Sequence, residues 1–383
     1  MKPLSFIFLS LCLSCSAQAE TKNSLALSLW DFDAIKASHQ FGSFKQQKNQ
    51  TCTPNLKAIS EFSQQSIDTL FSTDNCYVYT TSQEGWVTKY SLETMETLGK
   101  IRVGLKTANA TLSKDNKILL IGNRQPADLV LLNTHDLSVA RMIPVKNRKG
   151  ILSPVSRVRT ANDEQGFIVA PQDFPKIWKI NYQNPAPIGF GDGWNHDYRC
   201  MKEHVNKSLF PIKRLKTGML LEDFQIDNNG IFLVGKDKSG NGMIMDLDLS
   251  RVVAHPKIPS VNSGLTWKTK GSNHLATLNQ NTHKINIYSN QNNPRHWNKT
   301  TAITVNQASS LTSCANSTAL WVGTQDAKIQ LIDKNTLKIT KTLNLKNNHS
   351  INQIHCLQNG NAMLVHSKTN TIIFNSQTFE QIL

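Results

Sequence analysis

Acidic side chains are scarce in this 383-residue chain: 27 Asp and Glu stand against 42 Lys and Arg, a formal net charge of +15. Past the N-terminus no apolar run approaches the roughly 20 residues that a membrane-spanning helix needs, so no transmembrane segment is expected. Gly-x-Ser-x-Gly, a phosphate-binding glycine loop and His-Glu-x-x-His are all missing, which leaves hydrolase and nucleotide-dependent readings without support. Cys-x-x-Cys-His is missing too, which excludes a covalent c-type haem held by this chain.

The first nineteen residues have the layout of a secretory leader. Met1-Lys2 is a short basic start, Leu4 to Leu13 an apolar run, and Ala17-Gln18-Ala19 a small-residue cleavage motif. Cys12 and Cys15 each meet only half of the lipid-attachment pattern, so cleavage after Ala19 and a periplasmic location are expected, not lipoprotein anchoring. Loss of Lys2 with the leader lowers the charge to +14. An exported chain seldom meets nucleic acid, so the counterpart of this charge is an acidic ligand, an acidic partner or an anionic membrane surface. Because the lysines are scattered, solubility alone is an equal reading. Five cysteines remain (Cys52, Cys76, Cys200, Cys314 and Cys356), an odd number, so at least one is unpaired. Cys314 and Cys356 sit at similar points in successive repeats and are candidates for a bridge.

Those repeats organise the chain. A β-branched or apolar run, a polar turn and a second such run recur, most clearly in Tyr77-Val-Tyr-Thr-Thr, Ile118-Leu-Leu-Ile-Gly and Ala319-Leu-Trp-Val-Gly. Weaker copies begin at Phe167, Ile231, His274 and Ala362, with Trp86, Trp178 and Trp321 placed to pack between units. Successive starts lie 41 to 49 residues apart, except for one interval of 64 from Phe167 to Ile231. This is the period of a four-stranded propeller blade, a sheet that cannot bury both faces alone and packs on its neighbours in a ring. The expected fold is therefore all-β: a signal peptide over 1–19, a segment 20–60 giving a first blade or ring-closing strand through Leu25-Ala-Leu-Ser-Leu-Trp30, and a β-propeller over 61–383. Eight blades are favoured and seven are the alternative. The long interval carries Phe190-Gly-Asp-Gly-Trp-Asn-His-Asp-Tyr-Arg-Cys-Met-Lys-Glu-His204, which is rich in reactive groups and is expected to serve function, as propeller loops do.

Several segments resemble the haem d1 propeller family. They are Phe71 to Ile143 with Asn123-Arg-Gln-Pro126, Ser156-Arg-Val158 leading into Phe167-Ile-Val-Ala-Pro-Gln-Asp-Phe-Pro-Lys-Ile-Trp178, and Gly242-Met-Ile-Met-Asp-Leu-Asp248. The family includes the d1 domain of cytochrome cd1 nitrite reductase, and the chain is most similar to its stand-alone periplasmic biogenesis members, the NirF type. The resemblance implies a tetrapyrrole ligand, haem d1 or a precursor, with nitrite reductase or other haem d1 biogenesis proteins as partners.

Residue by residue, the resemblance implies less. Where the family places histidines near the iron, this chain has Ser66, Gln172 and Ser260, poor iron ligands that argue against tight axial ligation and nitrite reduction. Asp173 matches an acidic position and would give or take a proton beside the macrocycle, unless it caps its own turn. Arg157 matches a family arginine, and Arg124 stands where relatives often carry an aromatic. Both suit the ligand's carboxylates through paired hydrogen bonds, and both are equally read as rim ion pairs. Trp194 either stacks on a planar ligand or clamps its own loop. No metal site is expected; the nearest thing to one is His196, Cys200 and His204, four residues apart, which share a face only if that stretch is helical.

Two readings follow. A tetrapyrrole-binding protein of haem d1 maturation or delivery, enzyme or carrier, predicts a basic, aromatic-rich central cavity on one face with Arg157 and Asp173 pointing inward. A propeller scaffold or docking protein of the cell envelope predicts a side-chain-filled channel and apolar loop patches.

Overall fold

The computed structural model describes Cys52 and residues 66–74, 76–161, 166–182, 209–226, 230–255, 265–269, 271–279, 282–290, 297–314, 317–345, 350–357, 362–367 and 371–382, the side chains of 352, 353, 355, 366 and 371 apart. Among the described residues every regular element is a strand, and the strands form seven antiparallel sheets, six of four strands and one of three.

Each sheet is a meander. The inner strands, in chain order, are Asp68–Phe71, Lys106–Leu112, Val155–Ala161, Asp223–Ile226, Leu265–Thr269, Ala308–Thr312 and Ile351–Leu357. The strands read from the sequence as the start of each repeat are in fact the second strands, such as Ile118–Gln125, Gly166–Pro171 and Ala319–Thr324, which are mostly or wholly buried. A second strand is covered on both faces by neighbouring sheets, so it reads as a continuous apolar run. The inner strand borders the axis and mixes in polar side chains, as in Lys-Thr-Ala-Asn-Ala-Thr-Leu.

The core is divided among the interfaces between sheets. Tyr79 and Ile101 of sheet 1 pack on Leu119 and Ile121 of sheet 2. Leu120 and Leu131 then meet Phe167 and Trp178 of sheet 3, and Ile168 and Ile177 meet Phe224 and Met243 of sheet 4. The pattern continues through Trp267 and Trp321 to sheet 7, where Leu364 and Ile373 close the ring on Val78 and Leu92 of sheet 1. That last contact leaves no gap for another sheet, so among the described residues the expectation of eight blades gives way to seven. The candidate strand Leu25–Trp30 lies outside the described residues.

The close fit explains a repeated glycine. Gly122 and Gly323 occupy equivalent places near the end of second strands, where a Cβ would come within 2.6 Å of Val155 and of Ile351 on the next sheet; at Gly235 it would come within 2.8 Å of Leu221, on the connection leading into its own sheet. Trp178 and Trp321 are buried as expected. Trp86 is not: it is half-buried and lies under Lys100 Nζ at 4.7 Å and Arg102 at 5.9 Å. Two disulfides staple the ring, Cys52 to Cys76 and Cys314 to Cys356, the second joining sheets 6 and 7 as its place in successive repeats suggested. Cys200 lies outside the described residues.

Candidate functional site

Turns between second and third strands, and connections from one sheet to the next, share one face of the ring. Backbone hydrogen bonds tie them together, among them Leu105 N to Gln125 O at 2.8 Å and Gln172 N to Pro154 O at 2.8 Å. On this face, between sheets 2, 3 and 4, lies a cavity of about 600 Å3. Arg124 and, 48 residues later, the adjacent Gln172 and Asp173, all singled out before folding, line it. Met219, Leu220 and Leu221, from the connection between sheets 3 and 4, supply its apolar part; the aromatic-rich lining expected from the sequence is not found among the described residues. Its size falls within the range of ordinary small-molecule sites.

Local structure leaves the polar side chains available. The Asp173 N–H donates to Ser153 Oγ at 2.9 Å, which anchors the turn, while the carboxylate is exposed and has no partner among the described residues. Asp173 therefore does not cap its own turn. Asp237 does: it accepts from the N–H groups of Ser239 at 2.8 Å and Asn241 at 2.9 Å and from Asn241 Nδ2 at 2.8 Å, and these donors hold its carboxyl below the usual range. Glu222 pairs with Lys236 at 3.2 Å. Of the three acids that line the cavity, Asp173 alone is uncommitted. Arg124 and Lys238 are exposed cations without an ion pair among the described residues.

Arg124 stands on a braced turn. The preceding Asn123 is buried, and its Nδ2 donates to Val103 O at 2.8 Å and Asp128 Oδ1 at 2.9 Å. The Gln125-Pro126 peptide is cis. Asp128 Oδ2 is buried without a partner, and burial pushes this carboxyl up to about 6 despite the Asn123 donor.

Arg157 departs from its expected role. It points inward, not to bulk water, but it does not line the cavity: its Nε and Nη2 grip Asp223 Oδ1 and Oδ2 at 2.9 and 3.0 Å. Arg159 Nη2 approaches the same carboxylate at 3.5 Å. Asp68, from the inner strand of sheet 1, accepts from Ala110 N–H at 2.8 Å; burial raises its carboxyl, against the pull of that donor and of both arginines. These charges line the inner strands at the axis and neutralise one another. Spacing gave no sign of Asp223 as the partner, because 66 residues separate it from Arg157.

The other expected residues divide simply. Ser66 shares a hydrogen bond with Thr69 at 2.9 Å. Ser260, Trp194, His196, Cys200 and His204 lie outside the described residues. The interval that carries the last four leaves sheet 3 beyond Asn181 and rejoins it before Ile212, at the end of the sheet away from Gln172 and Asp173. Among the described residues no cluster of three metal-ligating side chains exists, and no histidine lines the cavity.

A family model described as the Cytochrome D1 heme domain matches residues 51–192. Dihydro-heme d1 dehydrogenase of Pseudomonas aeruginosa is 32 % identical over 282 residues, covering 71 % of this chain and 52 % of that protein, so the chain spans about half its relative's length. The solved dihydro-heme d1 dehydrogenase NirN in complex with DHE is similar at TM-score 0.67 and 27 % identity, over 82 % of this chain and 65 % of the other. The β-propeller domain of Myceliophteria thermophila Cps50 (Swd1), TM-score 0.59 at 12 % identity over 82 % of this chain and 97 % of the other, shares the fold alone. The seven-sheet ring and these matches together make this chain a β-propeller similar to the cytochrome d1 haem domain.

Proposed function

We propose that this chain is a periplasmic tetrapyrrole-binding protein of haem d1 maturation, of the stand-alone NirF type, which takes haem d1 or a precursor without covalent attachment, either to act on it or to deliver it to nitrite reductase. The observation that carries the reading is the cavity lined by Arg124, Gln172 and Asp173, whose side chains have no partner among the described residues, together with Met219, Leu220 and Leu221. A tetrapyrrole is a flat apolar body with acidic edges. The apolar part of the lining suits its face, and Arg124 and Lys238 suit its carboxylates through charge-assisted hydrogen bonds. Asp173 is placed to exchange a proton at the ligand's edge. Among the described residues no histidine lines the cavity, so the contacts this lining offers are to the ligand's periphery. When bound, the pigment supplies the redox chemistry; the chain supplies orientation and charge. Two disulfides agree with an oxidising compartment such as the periplasm.

Titration of the purified protein with haem d1 and with ordinary haem, followed by visible absorbance, tests this. A saturable shift with haem d1 that Arg124→Ala weakens is the expected result. No change with either pigment overturns it and leaves the scaffold reading, which the ion pairs at the axis would also suit.

A further inference from the structure

We infer that the cavity face docks on an anionic phospholipid surface, with the connection between sheets 2 and 3 as an inserted finger. The finger, residues 146–152, is ordered by its own hydrogen bonds. Lys146 bridges Leu152, Asn147 N donates to Ile151 O at 3.0 Å, and Asn147 Oδ1 accepts from Lys149 N at 2.9 Å and Ile151 N at 3.1 Å. Gly150, at φ +82° with open space around it, completes the turn. This frame holds two adjacent aliphatic side chains out in water, Ile151 at 57 % and Leu152 at 56 % exposure. Packing among the described residues gives no reason for that arrangement.

Charge points to the occupant. Lys146, Arg148 and Lys149 surround the tip, are exposed, and form no ion pair among the described residues, and residues 145–155 contain no acid. Flanking connections on the same face add Leu105 at 52 % and Leu220 at 46 % exposure. Protein interfaces are anchored mostly by Trp, Tyr and Arg in pockets. Aliphatic tips inside a basic collar instead match insertion at a headgroup boundary, with the cations on anionic lipid. The inference is independent of what the cavity holds.

Sedimentation of the exported chain with pure phosphatidylcholine vesicles and with mixed phosphatidylcholine–phosphatidylglycerol vesicles tests it. The mixed vesicles should carry the protein down, less so as salt screens the attraction. Each basic residue near such a surface is worth about fivefold in partition, so K146A/R148A/K149A should lose roughly a hundredfold. Ile151→Ser with Leu152→Ser should lose at least about tenfold, because burial of the two apolar side chains is given up. All five sites are exposed, so an unchanged thermal midpoint confirms that the variants fold. Absence of sedimentation with the mixed vesicles overturns the inference and leaves an acidic protein as the occupant; sedimentation indifferent to the finger substitutions overturns it as well.

Discussion

Arg157 and Asp223, on the inner strands of sheets 3 and 4, form a two-pronged ion pair in which the aspartate is 3 % exposed and the arginine 29 %. The fork ties the inner strands of adjacent sheets, and Arg159 Nε adds a bond to Phe224 O at 3.1 Å.

Removing the acid should therefore cost more than removing the base. Asp223→Ala strands two guanidinium groups and is expected to lower stability by about 2–4 kcal/mol, discounted for the arginine's partial exposure. Arg157→Ala leaves Asp223 with Arg159 and should cost less. Urea unfolding of both variants checks the order. An equal or reversed order would mean that the fork does not hold these sheets.

Asp173→Asn should leave stability within about 0.5 kcal/mol, because the exposed carboxylate has no partner among the described residues. Loss of its negative charge should leave affinity for an acidic pigment unchanged or modestly tighter, while any pH dependence of the bound spectrum that it causes should vanish. Spectral titrations at several pH values distinguish this from a structural role, which would weaken binding at every pH.

Asp128 gives a pH signature. Its folded carboxyl sits at about 6, against 3.8 unperturbed, so the folded state holds its proton more tightly than the unfolded chain does. The stability this group contributes is complete below pH 3.8 and is lost as pH rises through about 6. Asp128→Asn should remove that loss, gaining about 3 kcal/mol over wild type between acid and neutral pH, while keeping the Asn123 hydrogen bond to Oδ1. The difference between thermal melts of the two proteins across this range is the measurement. A flat difference would show that the group ionises as it does in water.

Cys314 and Cys356 close a span of 42 residues across sheets 6 and 7. By the loop-entropy relation such a bridge stabilises by up to about 4 kcal/mol. Cys314→Ser with Cys356→Ser should lower the unfolding midpoint accordingly in non-reducing buffer, and reductant should have little further effect through this pair.

Much of the architecture was legible before folding. Runs such as Ile118-Leu-Leu-Ile-Gly are apolar because a middle strand is covered on both faces, and that signal survives in one dimension. The inner strands were not legible, since Lys106–Leu112 borders a polar axis and shows neither clean alternation nor an unbroken apolar run. The candidate site was legible in part: Arg124, Gln172 and Asp173 were found through family likeness. Met219, Leu220 and Leu221 carried no local mark, because an exposed leucine on a connection looks the same whether or not a cavity lies beside it.

Sequence alone determined the strand rhythm, the paired runs and the excess of positive charge, because each depends on neighbours along the chain. Tertiary structure alone decided that seven sheets close the ring, that Arg157 is spent on Asp223 while Arg124 remains available, and that the exposed finger stands beside the cavity. Those outcomes depend on groups tens of residues apart being brought within bonding distance, and only ring closure sets that separation.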